Sequence, residues 1–176
     1  TLYAATSEGV YKSTDNGAHW IQVSSRLMAM DIVMDPADTN ALYAAHGNLN
    51  STPDPGLYKT TNGGTSWFKL TAGLPSTNFG RTSIAICPLA PSIVYAGIAD
   101  GSGGGQLIGL YKSFDQGATW TRSPARYDLS GQGWFNNVIA VNPRTPDTLY
   151  CGGLDIYRST NGGDSLKKRS ASRDGY

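Results

Sequence analysis

Apolar residues along this chain cluster in short runs, and polar turn residues separate the runs at close intervals. Three runs begin with isoleucine and end at proline, over Ile32–Pro36, Ile84–Pro88 and Ile139–Pro143. A second run with a central tyrosine begins six residues after each proline; these runs are Leu42-Tyr43-Ala44, Val94-Tyr95-Ala96 and Leu149-Tyr150-Cys151. Short runs rich in β-branched and aromatic residues, bounded by Pro, Asn and Gly, predict β-strands.

An eight-residue motif with Asp or Asn at its third position and Gly at its fifth also recurs. Its copies are Ser13–Trp20, Thr60–Trp67, Ser113–Trp120 and the degenerate Ser159–Leu166. A tyrosine precedes the last position of each copy by nine residues, at Tyr11, Tyr58, Tyr111 and Tyr157. The copies begin 47, 53 and 46 residues apart, so the chain is an internal repeat whose unit holds four short runs.

Four short strands joined by tight turns predict an antiparallel meander, and such units arranged radially form a β-propeller. The strands of each unit are labelled A to D, and the first unit lacks strand A. The units cover about 1–25, 26–73, 79–125 and 134–172 of the single domain 1–176. We therefore predict an all-β propeller segment of about four blades, completed by further blades of a parent chain or by a second copy. A solenoid of hairpins is the alternative, and a helix over Arg26–Met34 is set aside because that segment aligns with the other isoleucine runs.

Composition and charge agree with this architecture and narrow the classes of partner. Only 15% of the residues are charged and 22 are glycine, as in β-rich proteins with many turns. The net charge of +1 lacks the basic excess that is typical of nucleic-acid binders, so no nucleic-acid partner is expected. No run approaches the roughly 18 apolar residues of a membrane span, and none is expected.

The chain has few residues that ligate metals or form disulfides. Cys87 and Cys151 are the only cysteines, and His19 and His46 are the only histidines. Two distant cysteines in a glycine-rich chain are more often independent buried side chains than a disulfide. Neither histidine stands at ligand spacing from a cysteine, so no metal site and no cofactor are predicted.

The repeated turn motif resembles the Asp-box, or BNR repeat, of bacterial sialidases, sortilin-type receptors, xyloglucan hydrolases and plant photosystem assembly factors. The stretch Gly131–Phe135, followed by Ile139–Pro143 and Gly152–Ser159, looks especially like secreted bacterial BNR-repeat proteins. The resemblance implies an extracellular propeller of about six to ten blades, but no particular activity. It also implies structural roles for the motif residues Asp15, Trp20, Asn62, Trp67, Asp115, Trp120 and Asn161. A turn tolerates Asn in place of Asp, whereas a catalytic carboxylate would not.

Loop lengths vary on one side of the predicted blades only. The A–B and C–D connections are constant, whereas the B–C interval runs 8, 15, 16 and 7 residues and the D–A interval 12, 17 and 19. Alternate connections of a meander share one end, so all this variation falls on one face. Variable loops on a rigid scaffold carry binding residues, although such insertions can also be merely tolerated. The candidate ligand-binding residues are His46, Asp54, Asp100, Arg126, Tyr127, Asp128, Trp134 and Asn136.

The candidate aromatic residues have a second interpretation. Tyr127, Trp134 and Phe135 fit a platform for a sugar or a peptide, but Trp134 and Phe135 also fit the start of a strand A that packs between blades.

Two function classes remain open. Glycoside hydrolysis needs two carboxyl groups about 5 to 9.5 Å apart. Asp100 and Asp155 follow strand B, near where the resembling xyloglucan hydrolases carry a catalytic Asp, but their surroundings do not reproduce that motif and solvated loop carboxylates are the alternative. Sialidase activity is disfavoured because Glu8 is the only glutamate. We expect an extracellular binding or scaffold module that presents variable loops to a glycan or protein; the alternative is a fragment of a glycoside hydrolase with Asp acid/base residues.

Overall fold

The structure is a computed structural model that describes residues 1–48 and 52–170. Positions 49–51, in the loop predicted to carry ligand-binding residues between His46 and Asp54, lie outside the described residues. The end of the fourth predicted unit, at positions 171 and 172, lies outside them as well.

The described chain is built almost wholly of short strands. They coincide with the apolar runs, and strands such as β5 and β6 are buried at every position because sheets pack against both of their faces. In the segment Arg26–Met34, for which a helix was the alternative, Ala29–Met34 forms a strand. The strands are β1 (Leu2–Thr6), β2 (Gly9–Ser13), β3 (Ile21–Ser24), β4 (Ala29–Met34), β5 (Leu42–His46), β6 (Gly56–Thr60), β7 (Phe68–Leu70), β8 (Phe79–Cys87), β9 (Ala90–Asp100), β10 (Leu107–Ser113), β11 (Thr121–Arg122), β12 (Val138–Asn142), β13 (Thr145–Gly152), β14 (Ile156–Ser159) and β15 (Lys167–Lys168), with a four-residue helix α1 (Gly133–Asn136) before β12.

The strands form four antiparallel sheets in chain order. Sheet 1 has the order β1-β2-β3, sheet 2 the order β4-β5-β6-β7, sheet 3 the order β8-β9-β10-β11 and sheet 4 the order β12-β13-β14-β15. Each strand pairs with its neighbours in sequence, so every sheet is a meander. The predicted all-β propeller segment, with three strands in its first blade, is confirmed.

Apolar side chains fill the spaces between successive sheets. Between sheets 1 and 2, Val10 packs with Ala44 and with the partly buried Trp67. The largest cluster joins Tyr43 and Leu57 of sheet 2 to Val94 and Ile98 of sheet 3. A third cluster joins sheets 3 and 4. Face-to-face packing of consecutive sheets places the core between blades, as in a propeller.

Backbone hydrogen bonds sort the connections onto two opposite edges. In sheets 2, 3 and 4 the C–D turn donates an N–H to a carbonyl in the A–B turn or in the first residues of strand B. The pairs are Gly63 to Asn40, Gln116 to Ser92 and Gly162 to Asp147. B–C and D–A loops instead bond to one another, in the pairs Gly101 to Asn78 and Gly133 to Gly105. The edge with the A–B and C–D turns is named the constant edge, and the edge with the B–C and D–A loops is named the variable edge. The predicted separation of constant from variable connections is confirmed.

The four turn motifs share one hydrogen-bond pattern. The Asp15 carboxylate accepts from the Ser13 hydroxyl and the His19 N–H, at 2.8 and 2.9 Å. The Asn62 carbonyl oxygen takes both equivalent bonds, from Thr60 and Ser66. Asp115 and Asn161 repeat the pattern in their own turns. An oxygen acceptor at the third position therefore organises the turn whether or not it is charged.

No helix of the described chain is long and apolar enough to span a membrane.

Both cysteines are free thiols and buried. Cys87 donates to the carbonyl of Asn142 in the neighbouring sheet, at 3.3 Å.

Candidate functional site

The variable edge carries a cavity of about 360 Å³ where sheets 2 and 3 meet, named the loop cavity. Its walls come from the B–C loop of sheet 2, the D–A loop between the sheets and the B–C loop of sheet 3. The lining residues are Asn48, Thr52, Pro55, Asn78, Phe79, Gly101 and Ser102. These loops were predicted to share one face of the blades, but none of the seven lining residues was a predicted site residue.

Close backbone approaches hold the three loops in place. The Gly101 N–H donates to the Asn78 carbonyl at 2.9 Å, and Asn78 adopts a left-handed conformation with φ 57°, which Asn tolerates better than most residues. A Cβ on Gly47 would lie 2.6 Å from the carbonyl oxygen of Phe79. Gly47 also has φ 133°, so glycine is needed at this point of contact between the loops.

The loop cavity combines an apolar wall with uncharged polar groups. Phe79, which is buried, and Pro55 contribute the apolar part of the lining, and the amide of Asn48 and the hydroxyls of Thr52 and Ser102 contribute polar groups. The Asn48 side-chain oxygen is buried and has no hydrogen-bond partner among the described residues. Such a mixture of apolar surface and a few directed polar groups is typical of small-molecule sites.

A second cavity of about 540 Å³ lies between sheets 3 and 4, also on the variable edge. It is lined by Gln106, Leu107, Arg126, Tyr127, Asp128 and Tyr157. Arg126 donates to the carbonyls of Leu107 and Ile108 at 3.2 and 3.3 Å. Asp128 accepts from the N–H of Ser130 at 2.7 Å. The structure thus brings together Arg126 and Asp128, both predicted site residues, although each already holds its own loop.

Two of the predicted ligand-binding residues are buried, which corrects their placement on an exposed face. His46 lies at the end of β5 with its Nδ1 3.2 Å from the Leu27 carbonyl and its ring against the edge of Tyr58. Burial lowers the pKa of His46 below its ordinary value, so the ring is neutral at pH 7. Tyr127 is buried in the cluster between sheets 3 and 4, and it also lines the cavity there. Local sequence gave no sign of this burial because neighbouring sheets cause it.

Asn137, which sequence analysis did not single out, anchors the Tyr127 hydroxyl. The hydroxyl donates to the Asn137 side-chain oxygen at 2.7 Å. The Asn137 amide donates to the carbonyls of Gly97 and Arg81 at 2.7 and 3.1 Å. A side chain on Gly97 would clash with the Tyr127 hydroxyl, so this network also explains the glycine. Tyr127 therefore fastens the D–A loop to sheet 3.

The other predicted residues of the patch differ in their surroundings. Trp134 and Phe135 lie on α1 with largely exposed rings in contact with each other, so they do not begin a strand. The Asn136 amide donates to the Leu129 carbonyl at 3.4 Å. Asp54 pairs with Lys69 at 2.7 Å, and the hydrogen bond from Lys69 lowers the pKa of Asp54 to about 2.

The two candidate catalytic carboxylates have separate partners. Asp100 accepts from the N–H and the hydroxyl of Ser102, at 2.9 and 2.8 Å. Asp155 lies 2.6 Å from the Lys168 ammonium and accepts from the Ser170 hydroxyl at 2.7 Å. The hydrogen bond from Lys168 lowers the pKa of Asp155, which keeps this carboxylate ionised at neutral pH. Neither carboxylate lines the two cavities. In residues 1–48 and 52–170 no three His, Cys, Asp or Glu side chains are grouped to hold a metal.

Comparison with known proteins shows the fold. No protein-family model matches the chain. It is 26% identical over 179 residues to a probable oligoxyloglucan-reducing end-specific xyloglucanase of Neosartorya fischeri, an alignment that covers 92% of this chain and 21% of that protein. The crystal structure of an ancestral GH74 enzyme is 25% identical, with a TM-score of 0.73 over 98% of this chain and 22% of the other. The GH74 enzyme of Niastella koreensis is 21% identical, with a TM-score of 0.75 over 96% of this chain and 27% of the other.

The chain therefore spans about a fifth to a quarter of the length of these proteins. Its fold is similar to that of the matching parts of these GH74 enzymes. The similar proteins are glycoside hydrolases by name, and the chain aligns with only a part of each.

Proposed function

We propose that this chain is a glycan-binding segment of an extracellular Asp-box β-propeller and that its loop cavity contacts a neutral oligosaccharide. The loop cavity carries the proposal, because it lies where loops of two blades meet and combines the Phe79 wall with amide and hydroxyl groups. The alignment with a probable xyloglucanase supports a glycan as the ligand class. The extracellular setting rests on the resemblance of the repeat and on this ligand class.

The lining of the loop cavity favours a neutral ligand over a charged one. All seven of its lining residues are uncharged. Sugars offer hydroxyl groups to amides and hydroxyls and offer C–H faces to aromatic walls. The exposed rings of Trp134 and Phe135 on the same edge would extend the contact for a longer ligand. A peptide ligand remains the competing partner for the same edge.

Glycan binding by so open a site should be weak. Few groups would be fully desolvated, so we expect a Kd of about 10 µM to a few mM for a short oligosaccharide. Calorimetric or NMR titration of the chain with xyloglucan oligosaccharides, with cello-oligosaccharides and with a neutral peptide would measure it. Detectable binding of the peptide alone would overturn the glycan proposal.

A blocking variant with a matched control locates the site. Ser102→Trp places a large ring at the rim of the loop cavity and should weaken glycan binding by about tenfold or more. Thr14→Trp is the control, because Thr14 lies in an exposed turn on the constant edge and the equivalent position in sheet 3 already holds the exposed aromatic Phe114. Equal affinities of Ser102→Trp and the wild type, with the fold intact, would place binding elsewhere.

A second candidate function is catalysis within a glycoside hydrolase, favoured by the alignment with a probable xyloglucanase. The ionised, lysine-paired Asp155 suits a base or nucleophile better than an acid, because a general acid must hold a proton. The proton donor would then come from another part of the propeller. Hydrolysis of xyloglucan by a protein that contains this segment, lost in Asp155→Asn and kept in Asp100→Asn, would support this candidate. Full activity of Asp155→Asn would exclude Asp155 from the reaction.

A further inference from the structure

One position of strand D carries a cationic side chain in three sheets, and its surroundings differ in sheet 3. The position lies opposite the tyrosine of strand C and is Lys69 in sheet 2, Arg122 in sheet 3 and Lys168 in sheet 4. Lys69 forms an ion pair with Asp54 at 2.7 Å, and Lys168 forms one with Asp155 at 2.6 Å. Arg122 forms no ion pair with any described residue.

The sequence of sheet 3 explains why Arg122 lacks an acidic partner. Asp54 and Asp155 stand shortly before the strands C of their own sheets. The corresponding segment of sheet 3, over 101–110, contains no acidic residue. Asp100, which precedes that segment, accepts hydrogen bonds from Ser102 instead. The position that a carboxylate fills in sheets 2 and 4 is therefore without one in sheet 3.

A second cation lies where the acidic partner is missing. The Arg126 Nη2 donates to the Ile108 carbonyl at 3.3 Å, and the Arg122 Nη2 donates to the same carbonyl. The pairing of β9 with β10 is irregular between Leu107 and Gly109, which takes Ile108 out of the regular ladder and lets its carbonyl face side chains. We name Arg122 and Arg126 the arginine pair. Two like charges that share one acceptor repel each other, so an anion beside them would be stabilised.

The surrounding backbone holds the arginine pair in place. A Cβ on Gly109 would lie 2.9 Å from the Arg122 Nε, so glycine leaves room for this side chain to cross the strand. The Ser123 hydroxyl donates to the Gly163 carbonyl of sheet 4. On the other side of Arg126, the buried Tyr127 fastens the loop to sheet 3. A ligand would therefore meet cations that are already positioned, which lowers the entropic cost of binding.

Several hydrogen-bond donors around the arginine pair have no acceptor within the protein. A guanidinium group has five N–H donors, and both arginines use only Nη2 within the described chain. Their Nε and Nη1 groups are left for solvent or a ligand. The Gln106 amide and the Tyr157 hydroxyl line the cavity between sheets 3 and 4 together with Arg126, and neither makes a hydrogen bond to a described residue. This side of the cavity is rich in donors, as a site for an anion requires.

The acidic residue of the same cavity does not neutralise the arginine pair. Asp128 forms no ion pair with Arg126. Its two carboxylate oxygens accept from the N–H and the hydroxyl of Ser130, at 2.7 and 3.2 Å. A bound anion would thus face two guanidinium groups and a single carboxylate that is held by its own loop.

We propose that the arginine pair binds the carboxylate of an acidic sugar, such as a uronic acid unit of a glycan, in the cavity between sheets 3 and 4. The carboxylate takes the place that Asp54 and Asp155 fill in the neighbouring sheets, with charge-assisted hydrogen bonds from both guanidinium groups. The cavity of about 540 Å³ has room for a sugar ring beside Tyr157, and the Gln106 amide can bond its hydroxyls. The choice of a sugar rests on the proposed function, whereas the anion site does not.

Titration with a charged and a neutral sugar tests the ligand class. Glucuronate differs from glucose in its carboxylate, and we expect it to bind with a Kd of about 0.1 to 5 mM and glucose to bind at least about tenfold more weakly. Raising NaCl from about 20 mM to about 500 mM should weaken the binding of glucuronate, because salt screens exposed charges. Acetate and inorganic phosphate are the anion controls. If either binds as tightly as glucuronate, the site recognises a simple anion and the acidic-sugar proposal is wrong.

Substitutions locate the site. Arg122→Gln and Arg126→Gln should each weaken glucuronate binding by about fivefold or more. Gln106→Glu puts a carboxylate in the cavity beside Arg126, so it should compete with the ligand and weaken binding by about tenfold, while circular dichroism shows an intact fold. Lys69→Gln is the matched control, because Lys69 holds the same strand position but has Asp54 as its partner. Its affinity for glucuronate should equal that of the wild type.

The outcomes also separate this site from the loop cavity. Glucuronate should shift the amide resonances of Gln106 and Arg126, whereas a neutral glycan in the loop cavity should shift those of Asn48 and Ser102. Absence of glucuronate binding at about 20 mM would overturn the acidic-sugar site and leave the loop cavity untouched. Wild-type affinity in both arginine variants, or an equal loss in Lys69→Gln, would overturn it as well.

Discussion

The third residue of each turn motif accepts hydrogen bonds from the turn in all four sheets. The backbone N–H of His19 is the main cause that lowers the pKa of Asp15 to about 2, and the Thr119 hydroxyl is the main cause for Asp115, also at about 2. Asn62 and Asn161 make the same bonds without charge and donate from the amide to Ser66 and Ser165. The role is that of an acceptor at a bend, which explains why both residue types occur.

The depressed pKa values predict a pH dependence with a definite sign. An unfolded Asp titrates near pH 3.9, so the stability from Asp15 and Asp115 is present above that pH and is lost as pH falls toward about 2. Asp15→Asn combined with Asp115→Asn should flatten the fall of the melting temperature between about pH 4 and about pH 2. Asp54 and Asp155 are the same in both proteins and provide the background slope. An unchanged pH dependence of the melting temperature in the double variant would contradict the acceptor role. Equal melting temperatures of Asp15→Asn and Asp15→Ala at neutral pH would contradict it as well.

The Tyr127 hydroxyl should stabilise the D–A loop through Asn137. Tyr127→Phe leaves the buried Asn137 oxygen without its donor and should lower the free energy of unfolding by about 1 to 2 kcal/mol. Tyr111→Phe is the control, because Tyr111 is also buried and its hydroxyl makes no hydrogen bond within the described residues. Equal losses in urea unfolding would show that ring packing, and not the hydrogen bond, decides the stability of the loop.

At the scale of strands and turns, much of the architecture could be predicted from the chain itself. The isoleucine runs and the runs with a central tyrosine could be predicted as strands A and B because the same spacing recurs three times. This recurrence outweighs the local helical pattern before Met34. The constant and variable edges followed from the interval lengths and from the alternation of connections in a meander. The pairing of a strand-B tyrosine with a cationic residue of strand C was missed, although its signal is present. In every unit a cationic residue directly follows the tyrosine before the turn motif, at Lys12, Lys59, Lys112 and Arg158.

The site residues were harder to predict than the strands. His46 and Tyr127 look like loop residues in the sequence, and only packing against Tyr58 or against sheet 3 buries them. Asn48 and Asn78 carry no motif, and they become neighbours only because two B–C loops converge on one D–A loop. Contacts between repeats depend on how the sheets stack, which the pattern within one repeat does not encode.

Tyr43 and Tyr150 hold equivalent positions in strand B of sheets 2 and 4, but only the Tyr43 hydroxyl bonds to a neighbouring sheet in the described chain. Tyr43→Phe removes a hydroxyl bonded to the Gln116 carbonyl and should cost about 1 kcal/mol of stability. Tyr150→Phe removes the equivalent hydroxyl, which has no acceptor in the described chain, and should cost close to nothing in dilute solution. Chemical unfolding of both variants would measure the difference. Equal effects would contradict the Tyr43 hydroxyl as a stabilising contact between sheets 2 and 3.

For the whole molecule, the buried cysteines report on the stacking of the sheets. Cys87 and Cys151 lie in sheets 3 and 4, and burial raises the pKa of Cys151 to about 12. Thiol reagents act on the thiolate, so both cysteines should react slowly in the native protein at about pH 8 and rapidly once denaturant unfolds it. Labelling of Cys151 at the rate of a free thiol under native conditions would contradict the packing of sheet 4 on sheet 3.

Binding of a glycan to the loop cavity on the variable edge can be followed by an amide chemical-shift map of the protein during titration with a xyloglucan oligosaccharide. We expect the largest shifts at Asn48, Asn78, Gly101 and Ser102, which line the cavity, and smaller shifts on α1. The amides of the turn motifs on the constant edge, such as Gly17 and Gly64, should not move. Shifts confined to the constant edge, or no shifts at about 10 mM ligand, would contradict the account.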